Sequence, residues 1–309
     1  MTDVRPPAVA GQFYRGDPDP LVEQIEACFL DEYGPGTVPD TGQATDRRAE
    51  TADRRAETAD RQPDKPNADR GDLLGLVVPH AGYQYSGPIA AHSYAALARS
   101  RTPETAVILG PNHRQAGAEI ALASHDAWET PLGRLSVDEP LREKLLETDA
   151  AIEIDDRAHR VEHAVEVQLP FLQHLEATPR FLPVAVATKD RSRCEYLGEA
   201  IARAIDATGR DAVVIASTDL THYEPTEAAT AADDPVLDLL VDLNPAGLLD
   251  HVERTGHTMC GPGATAATLF AAIRLGAASG TVYAYATSGD TAGAGGRTVG
   301  YTAVGIDDD

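Results

Sequence analysis

Three short segments of the chain place a histidine after an apolar run. In two of them the histidine lies next to or near proline or glycine, and in the third it follows a short acidic turn. They read VVPHAGY around His80, LGPNH ending at His113, and STDLTHY containing Asp219 and His222. A histidine on a tight turn after a strand faces the crevice at the end of that strand. Imidazoles that converge from separate strands can form a metal site or an acid–base centre. One such histidine would usually be a turn or core residue, but three at equivalent positions favour a shared site.

Cys260 is a further candidate ligand. It lies in HTMCGPG, directly before a helical pattern, where the helix dipole and free N–H groups favour a thiolate. The alternative is a buried structural cysteine, which suits Cys28 and Cys194 better because they lie within or at the start of ordinary helical patterns. Three cysteines without a cluster indicate no disulfide framework and a reducing compartment.

The segment RVEHAVEVQLP predicts a helix that opens at the same crevice. His163 and Glu166 are three residues apart, so on a helix they would share a face. An exposed face with a charge pair is an equally weighted alternative. His163 therefore joins the candidate site, and the histidines without such a context are expected at the surface: His125, His159, His174, His251 and His257.

Strand-like and helix-like patterns alternate along the chain and must position these residues. Buried strands are predicted at 73–79, 105–110, 181–187, 212–217, 281–287 and 298–305. Helices are predicted between them at 88–99, 137–146, 164–175, 193–207, 235–243 and 264–275. This alternation predicts an α/β fold with a mostly parallel sheet and helices on both faces, in which ligands collect at the carboxyl ends of the strands.

The charge of the chain argues against some partners. Its 309 residues include 49 acidic and 26 basic ones, for a net charge of −23. Such a surface repels phosphate backbones and anionic lipids, so we expect neither nucleic acid nor a membrane as partner. Lysine is scarce beside Asp and Glu, which predicts a halophilic protein that loses structure when salt is removed. The N-terminus lacks an apolar signal segment, so we expect a cytoplasmic location.

Residues 40–72 differ from the rest in composition. They contain the seven-residue repeat ATDRRAE, TADRRAE, TADRQPD. Positions a and d of this repeat hold Ala, Thr or Arg, which provide no coiled-coil seam. The pattern predicts a solvated, low-complexity insertion without chemistry, within a single domain that spans 1–309.

The ordered series of motifs resembles the Memo family. The matching segments are AGQFYRGDPDPL, PHAGY, AHSY, LGPNH, EHAVEVQLPFLQ, STDLTHY, the Cys-Gly at 260–261, SGD and VGY. That family is similar in fold to the class III extradiol dioxygenases, so the resemblance implies a three-layer α/β/α sandwich around a mostly parallel sheet.

The resemblance also implies roles for individual residues. His80, His113 and Cys260 match the positions that coordinate iron or copper in the family. His222 takes the place of the dioxygenases' acid–base histidine and would be oriented by Asp219.

Two further positions are implied in the same way. His163 matches another histidine of the pocket. Phe13 and Tyr14 fall where the family has an aromatic residue in contact with peptide.

We therefore expect a metal-dependent oxidoreductase or redox protein that uses Fe(II) or Cu. Cys260 replaces the carboxylate ligand of the dioxygenases, and a thiolate shifts preference towards Cu(I) or Zn without excluding Fe(II). Two alternatives are a zinc hydrolase and a non-catalytic module whose pocket holds a peptide or protein. The substrate or partner, a small molecule or a protein, is not identified by these residues.

Overall fold

A computed structural model describes residues 3–39, 72–148, 151–175, 180–293 and 296–308. The predicted insertion at 40–72 lies outside these ranges, apart from its last residue. The strands in chain order are β1 Val4–Arg5, β2 Leu73–Val78, β3 Thr105–Pro111, β4 Ile120–Leu122, β5 Ala127–Thr130, β6 Gly133–Val137, β7 Glu153–Ile154, β8 Arg180–Val186, β9 Ala212–Ser217, β10 His222–Glu224, β11 Ser279–Thr287 and β12 Thr298–Asp307.

Helices connect most of these strands. They are α1 Pro18–Leu30, α2 Tyr83–Ser100, α3 Glu139–Thr148, α4 Leu169–His174, α5 Arg191–Thr208, α6 Thr226–Val241, α7 Pro245–Thr255, α8 Pro262–Leu275 and α9 Ser288–Ala292, with short 3-10 turns at Asp156–Ala158 and Glu166–Gln168. Among the described residues, no helix combines the length and apolar character needed to cross a membrane.

The strands form one mixed sheet with a parallel centre. Its order is β1-β5-β6-β8-β3-β9-β2-β12-β10, and β6, β8, β3, β9 and β2 run parallel to one another. Strand β12 is antiparallel to β2 and also pairs with β10 and β11. Central strands such as AVVIAS are buried throughout, and mostly apolar, because both of their faces are covered.

Successive residues of β2 show the layers directly. Leu76 and Val78 belong to a core cluster that includes Tyr94 of α2. Val77, between them, belongs to a second cluster that includes Leu269 of α8. Since neighbouring strand residues point to opposite faces, helices cover both sides of the sheet. The predicted α/β/α fold class is confirmed.

Two helices begin earlier than predicted, for the same reason. The prediction placed a proline at the first helical position, giving starts at residues 88 and 235. In the structure Pro88 and Pro235 lie inside α2 and α6, which begin at Tyr83 and Thr226. Tertiary packing of the flanking residues outweighs the local penalty that proline imposes on a helix interior.

Candidate metal centre

Three neighbouring strands end beside the candidate site. His113 lies two positions after β3, Asp219 two after β9 and His80 two after β2. These strands are adjacent and parallel in the order β3-β9-β2, so their carboxyl ends meet at one edge of the sheet. Of the three histidines expected at equivalent positions, His80 and His113 take them, whereas His222 lies five residues beyond β9 and Asp219 has the third position.

His80, His113 and Cys260 form a compact group of potential metal ligands. One ligand atom from each lies within 4.8 Å of the others, and His80 Nε2 is 3.2 Å from Cys260 Sγ. The two imidazole rings are perpendicular, with centroids 5.3 Å apart. His80 is buried while His113 is partly exposed, so the group is reached from the pocket side.

The orientation of His80 is set through its second ring nitrogen. Its Nδ1 lies 2.9 Å from Ser217 Oγ. Ser217 donates its own proton to the Ala164 carbonyl at 2.6 Å and accepts from Gln168 Nε2 at 2.8 Å. The hydroxyl oxygen must therefore accept from His80, so Nδ1 carries the proton and Nε2 keeps a free lone pair. Burial, then the neighbouring His113, lowers the pKa of His80 to about 3 and keeps it neutral.

A carboxylate holds His113 in the same way. Glu162 Oε1 lies 2.8 Å from His113 Nδ1, and Oε2 accepts the His113 backbone N–H at 2.8 Å. Oε1 also accepts the backbone N–H groups of His163 and Ala164. Burial alone would raise the pKa of Glu162, but the His113 hydrogen bond and the nearby histidine charges outweigh it and lower that pKa to about 2. An ionised Glu162 fixes the proton on Nδ1 and leaves Nε2 free.

Cys260 is bonded to the backbone of Asp219, with the Thr218 hydroxyl at 3.7 Å and His80 Nε2 at 3.2 Å as side-chain neighbours of its sulfur. Its Sγ accepts the Asp219 N–H at 3.2 Å, and its own N–H donates to the Asp219 carbonyl at 3.2 Å. Burial, together with the Asp219 charge, raises the pKa of the thiol far above its usual range. Cys260 precedes α8 by two residues, and the effect of burial on its pKa opposes the expected influence of the helix dipole. A metal ion would displace the proton.

His222 faces the pocket, but Asp219 does not orient it. The Nδ1 of His222 donates to the Leu220 carbonyl at 2.7 Å, which leaves Nε2 free. Asp219 Oδ1 instead accepts the His80 backbone N–H at 2.8 Å, and burial raises the pKa of its carboxyl. The expected Asp219–His222 pair is thus replaced by a carbonyl contact within the turn.

His163 lies beside the ligand group on a loop, not on the predicted helix. Its ring stacks on His113 with centroids 4.7 Å apart and planes 11° apart, and Phe13 packs on it at 4.5 Å. Its Nδ1 is 3.3 Å from Glu162 Oε1. Burial, then the charge of His80, lowers the pKa of His163 to about 3, so it presents a neutral ring to the pocket.

Known proteins are similar to nearly the whole of this chain. The family model described as Memo-like protein matches residues 5–305. The chain belongs to the Memo family. A MEMO1 family protein of Methanopyrus kandleri is 44% identical over 301 residues, covering 97% of this chain and 98% of that relative. Another, from Methanothermobacter thermautotrophicus, is 40% identical and covers 96% and 98% of the two chains.

A solved structure shares the fold of this Memo family chain. The crystal structure of an uncharacterized protein from Escherichia coli K12 superposes with a TM-score of 0.54 at 14% identity. The match covers 76% of this chain and 99% of the other. At this level of identity the likeness concerns the fold alone.

Glu166 lies away from the centre, so both interpretations of it from the sequence are wrong. It is buried and paired with Arg5 at 2.6 Å, and it accepts the N–H groups of Ala8 and Val9 and the hydroxyl of Tyr14. The predicted helix is instead a 3-10 turn followed by a short α-helix, which changes the directions of the side chains. Glu166 thereby anchors the N-terminal segment that carries Phe13 to the pocket.

A pocket of about 440 Å³ opens over His80 and His113 of the ligand group. Besides His80, His113, His163 and His222 it is lined by Phe13, Tyr85, Asp219, Tyr223 and Tyr301, among others. Aromatic walls with a few polar groups are typical of small-ligand sites.

The histidines assigned to the surface are not all exposed. The side chains of His159 and His257 are buried, at 0% and 2% exposure, while His125, His174 and His251 are half-buried. Their partners are distant in the chain, since His159 Nε2 contacts the Ala121 carbonyl and His257 Nε2 contacts Asp233. Their local sequence therefore carried no sign of burial.

Glu162 is the supporting residue that sequence reasoning missed. Its signal was its position directly before His163 in EHAVE, but its main partner, His113, is 49 residues away.

Proposed function

We propose that this Memo family protein binds one iron(II) or copper ion through His80, His113 and Cys260 and acts as a redox protein or oxidoreductase. The observation that carries the proposal is the placing of three donor atoms within 4.8 Å of one another. Both imidazoles keep Nε2 free because their Nδ1 atoms are bonded to Ser217 and Glu162.

The donor set fits a transition metal. Metal-bound histidine usually donates its other ring N–H to a carboxylate or another oxygen, which fixes the ring and its tautomer. Both histidines of this group show that arrangement. Imidazole suits iron, copper and zinc, and the thiol of Cys260 adds preference for Cu(I) or Zn.

The residues around the ligands can bind a small molecule and move a proton. An iron or copper ion would supply electron transfer at this position. His222 lines the pocket, and its Nε2 keeps a lone pair because Nδ1–H is engaged with Leu220, so this nitrogen can accept a proton from a bound molecule and return it. Phe13 packs on the His163 ring at 4.5 Å, and both side chains line the pocket beside the centre.

The test is metal analysis of protein purified without oxygen. We expect about one ion per chain in the wild type, and loss of that ion in both His80→Ala and Cys260→Ser. Cys28→Ser is the matched control, because Cys28 is a buried thiol on α1 and should leave the metal content unchanged. Full occupancy in both ligand variants would remove the proposal.

The bound element separates the remaining functions. Iron or copper with consumption of O₂ supports the redox function. Zinc without redox activity would support hydrolysis, for which an open position on a three-ligand zinc is needed. A folded wild type that binds none of these metals would favour the peptide- or protein-binding module.

A further inference from the structure

A buried carboxylate lies behind the pocket, outside the ligand group. Asp233, on α6, is 0% exposed. Its Oδ1 accepts the Thr221 N–H at 3.0 Å and contacts His257 Nε2 at 2.9 Å. Its Oδ2 accepts the Tyr285 hydroxyl at 2.7 Å. Donors of this kind stabilise a desolvated carboxylate.

His257 donates to Asp233 as a neutral ring. Its Nδ1 accepts the Met259 N–H at 3.1 Å, so the single ring proton lies on Nε2. Nε2 then points at Asp233 Oδ1, with Thr221 Oγ1 also 2.9 Å away. The ring thus contacts the carboxylate on α6 through Nε2 and the backbone directly before Cys260 through Nδ1.

Two of the three donors to Asp233 lie on the loops that carry pocket residues. Thr221 directly precedes His222, and His257 lies three positions before Cys260. The two loops are also bonded to each other, because His222 N–H donates to Thr258 Oγ1 at 2.8 Å. The third donor, Tyr285, lies on β11, which contains none of the proposed metal ligands.

At position 300, next to Asp233, the structure has room only for glycine. A Cβ on Gly300 would overlap Asp233 Oδ2. Gly300 also joins β12 to the loop after β9, since its N–H donates to the Thr221 carbonyl and its carbonyl accepts the Leu220 N–H, both at 2.8 Å. Because Gly300 of the VGY motif has no side chain, the carboxylate of Asp233 can approach this loop closely.

We propose that Asp233 is a positioning residue that, through His257 and Thr221, holds Cys260 and His222 in register with His80. The inference rests on the proposed metal function for its chemical meaning. The side chain of Cys260 has one polar atom, its sulfur, and no second polar atom that a neighbour could hold. The position of the sulfur therefore depends on the conformation of the loop.

The experiment follows cobalt(II) binding to the wild type, Asp233→Asn and Tyr285→Phe. Thiolate-to-cobalt absorption reports the contact with Cys260 itself. In Asp233→Asn a neutral amide replaces the carboxylate and accepts more weakly from Thr221 and His257, so we expect a weaker or shifted thiolate band and cobalt affinity reduced about 10-fold. Tyr285→Phe removes only the donor on β11 and should lower the melting temperature without changing the band.

A second measurement needs no metal. Iodoacetamide alkylates Cys260, and peptide mass measures the rate. In metal-free Asp233→Asn we expect this rate to change about 10-fold, because Cys260 loses its contacts to Asp219. That rate should stay at the wild-type value in Tyr285→Phe. If Asp233→Asn fails to fold, Gly300→Ala and His257→Gln disturb the same contact and take its place.

The outcomes separate the two proposals. A wild type without a thiolate band contradicts the metal site, and the alkylation rates still decide the role of Asp233. A wild type with the band and folded Asp233 or His257 variants that match it in band, affinity and alkylation would overturn the positioning role. Equal changes in Tyr285→Phe would show that general loss of stability causes them.

Discussion

The two sides of the candidate centre are held by different means. On the imidazole side, His80 and His113 are fixed through their own rings, by Ser217 at 2.9 Å and Glu162 at 2.8 Å. On the thiol side, Cys260 meets backbone atoms of Asp219, and its loop is tied to Asp233 through His257.

The difference follows from the number of polar atoms in each ligand. Imidazole has two nitrogens, so one can bind a metal while the other is held by a neighbour that also selects the tautomer. Cysteine has one sulfur and no second polar atom that a neighbour could hold while the sulfur binds a metal. Its position therefore has to come from the chain on either side. Substitutions on the imidazole side should affect metal binding directly, and those on the thiol side should act through the loop.

The largest effect is expected for Glu162→Ala. This change removes the partner of His113 and leaves several buried N–H groups without an acceptor. We expect metal affinity to fall about 100-fold and the free energy of unfolding to fall by about 4 kcal/mol. Metal titration and urea unfolding measure the two effects. Glu162→Gln, which keeps one acceptor oxygen, should show smaller losses, and an affinity loss no greater than in Asp233→Asn would contradict the comparison.

A smaller effect is expected from acid, through a buried histidine outside the centre. His159 donates Nε2–H to the Ala121 carbonyl, and burial lowers its pKa from 6.5 to about 4. Because the folded-state pKa lies below the unfolded one, stability is complete above pH 6.5 and is lost as the pH falls towards 4. The full shift corresponds to about 3 kcal/mol.

The variant His159→Gln isolates this contribution. Glutamine can still donate to the Ala121 carbonyl but does not titrate. As the pH falls from 6.5 to 4, the unfolding free energy of the wild type should therefore decrease relative to that of the variant, with both proteins metal-free. A difference that stays constant over this range would show that His159 does not titrate there, and that the acid sensitivity belongs to the histidines of the centre.

The smallest effect is expected for Ser217→Ala. The change removes the acceptor of His80 Nδ1–H but leaves both ligand nitrogens in place, so we expect metal affinity to fall about 10-fold. Ser86→Ala is the control, because its hydroxyl donates to the Ala81 carbonyl and touches no ligand. Equal losses in the two variants would mean that packing, not the His80 contact, is responsible.

The ligands could be predicted from the sequence, but the groups that hold them could not. His80 and His113 each follow an apolar run closed by proline, and Cys260 precedes a glycine–proline pair, so local pattern marks all three. Their supports lie far away in the chain, with Ser217 at 137 residues from His80 and Glu162 at 49 from His113. Nothing in the neighbourhood of Asp233, within a helix, distinguishes it from an exposed acidic residue.

By itself the sequence determined the central strands, the turns at their ends and the residue types available there, because periodicity and proline or glycine act over a few residues. The tertiary structure decided which strand ends meet, that Glu166 turns away from the pocket, and that Glu162 and Asp233 are buried acceptors. Those outcomes depend on the order β3-β9-β2 and on hydrogen bonds between distant segments. Such contacts form only when the whole sheet is assembled, so no local pattern encodes them.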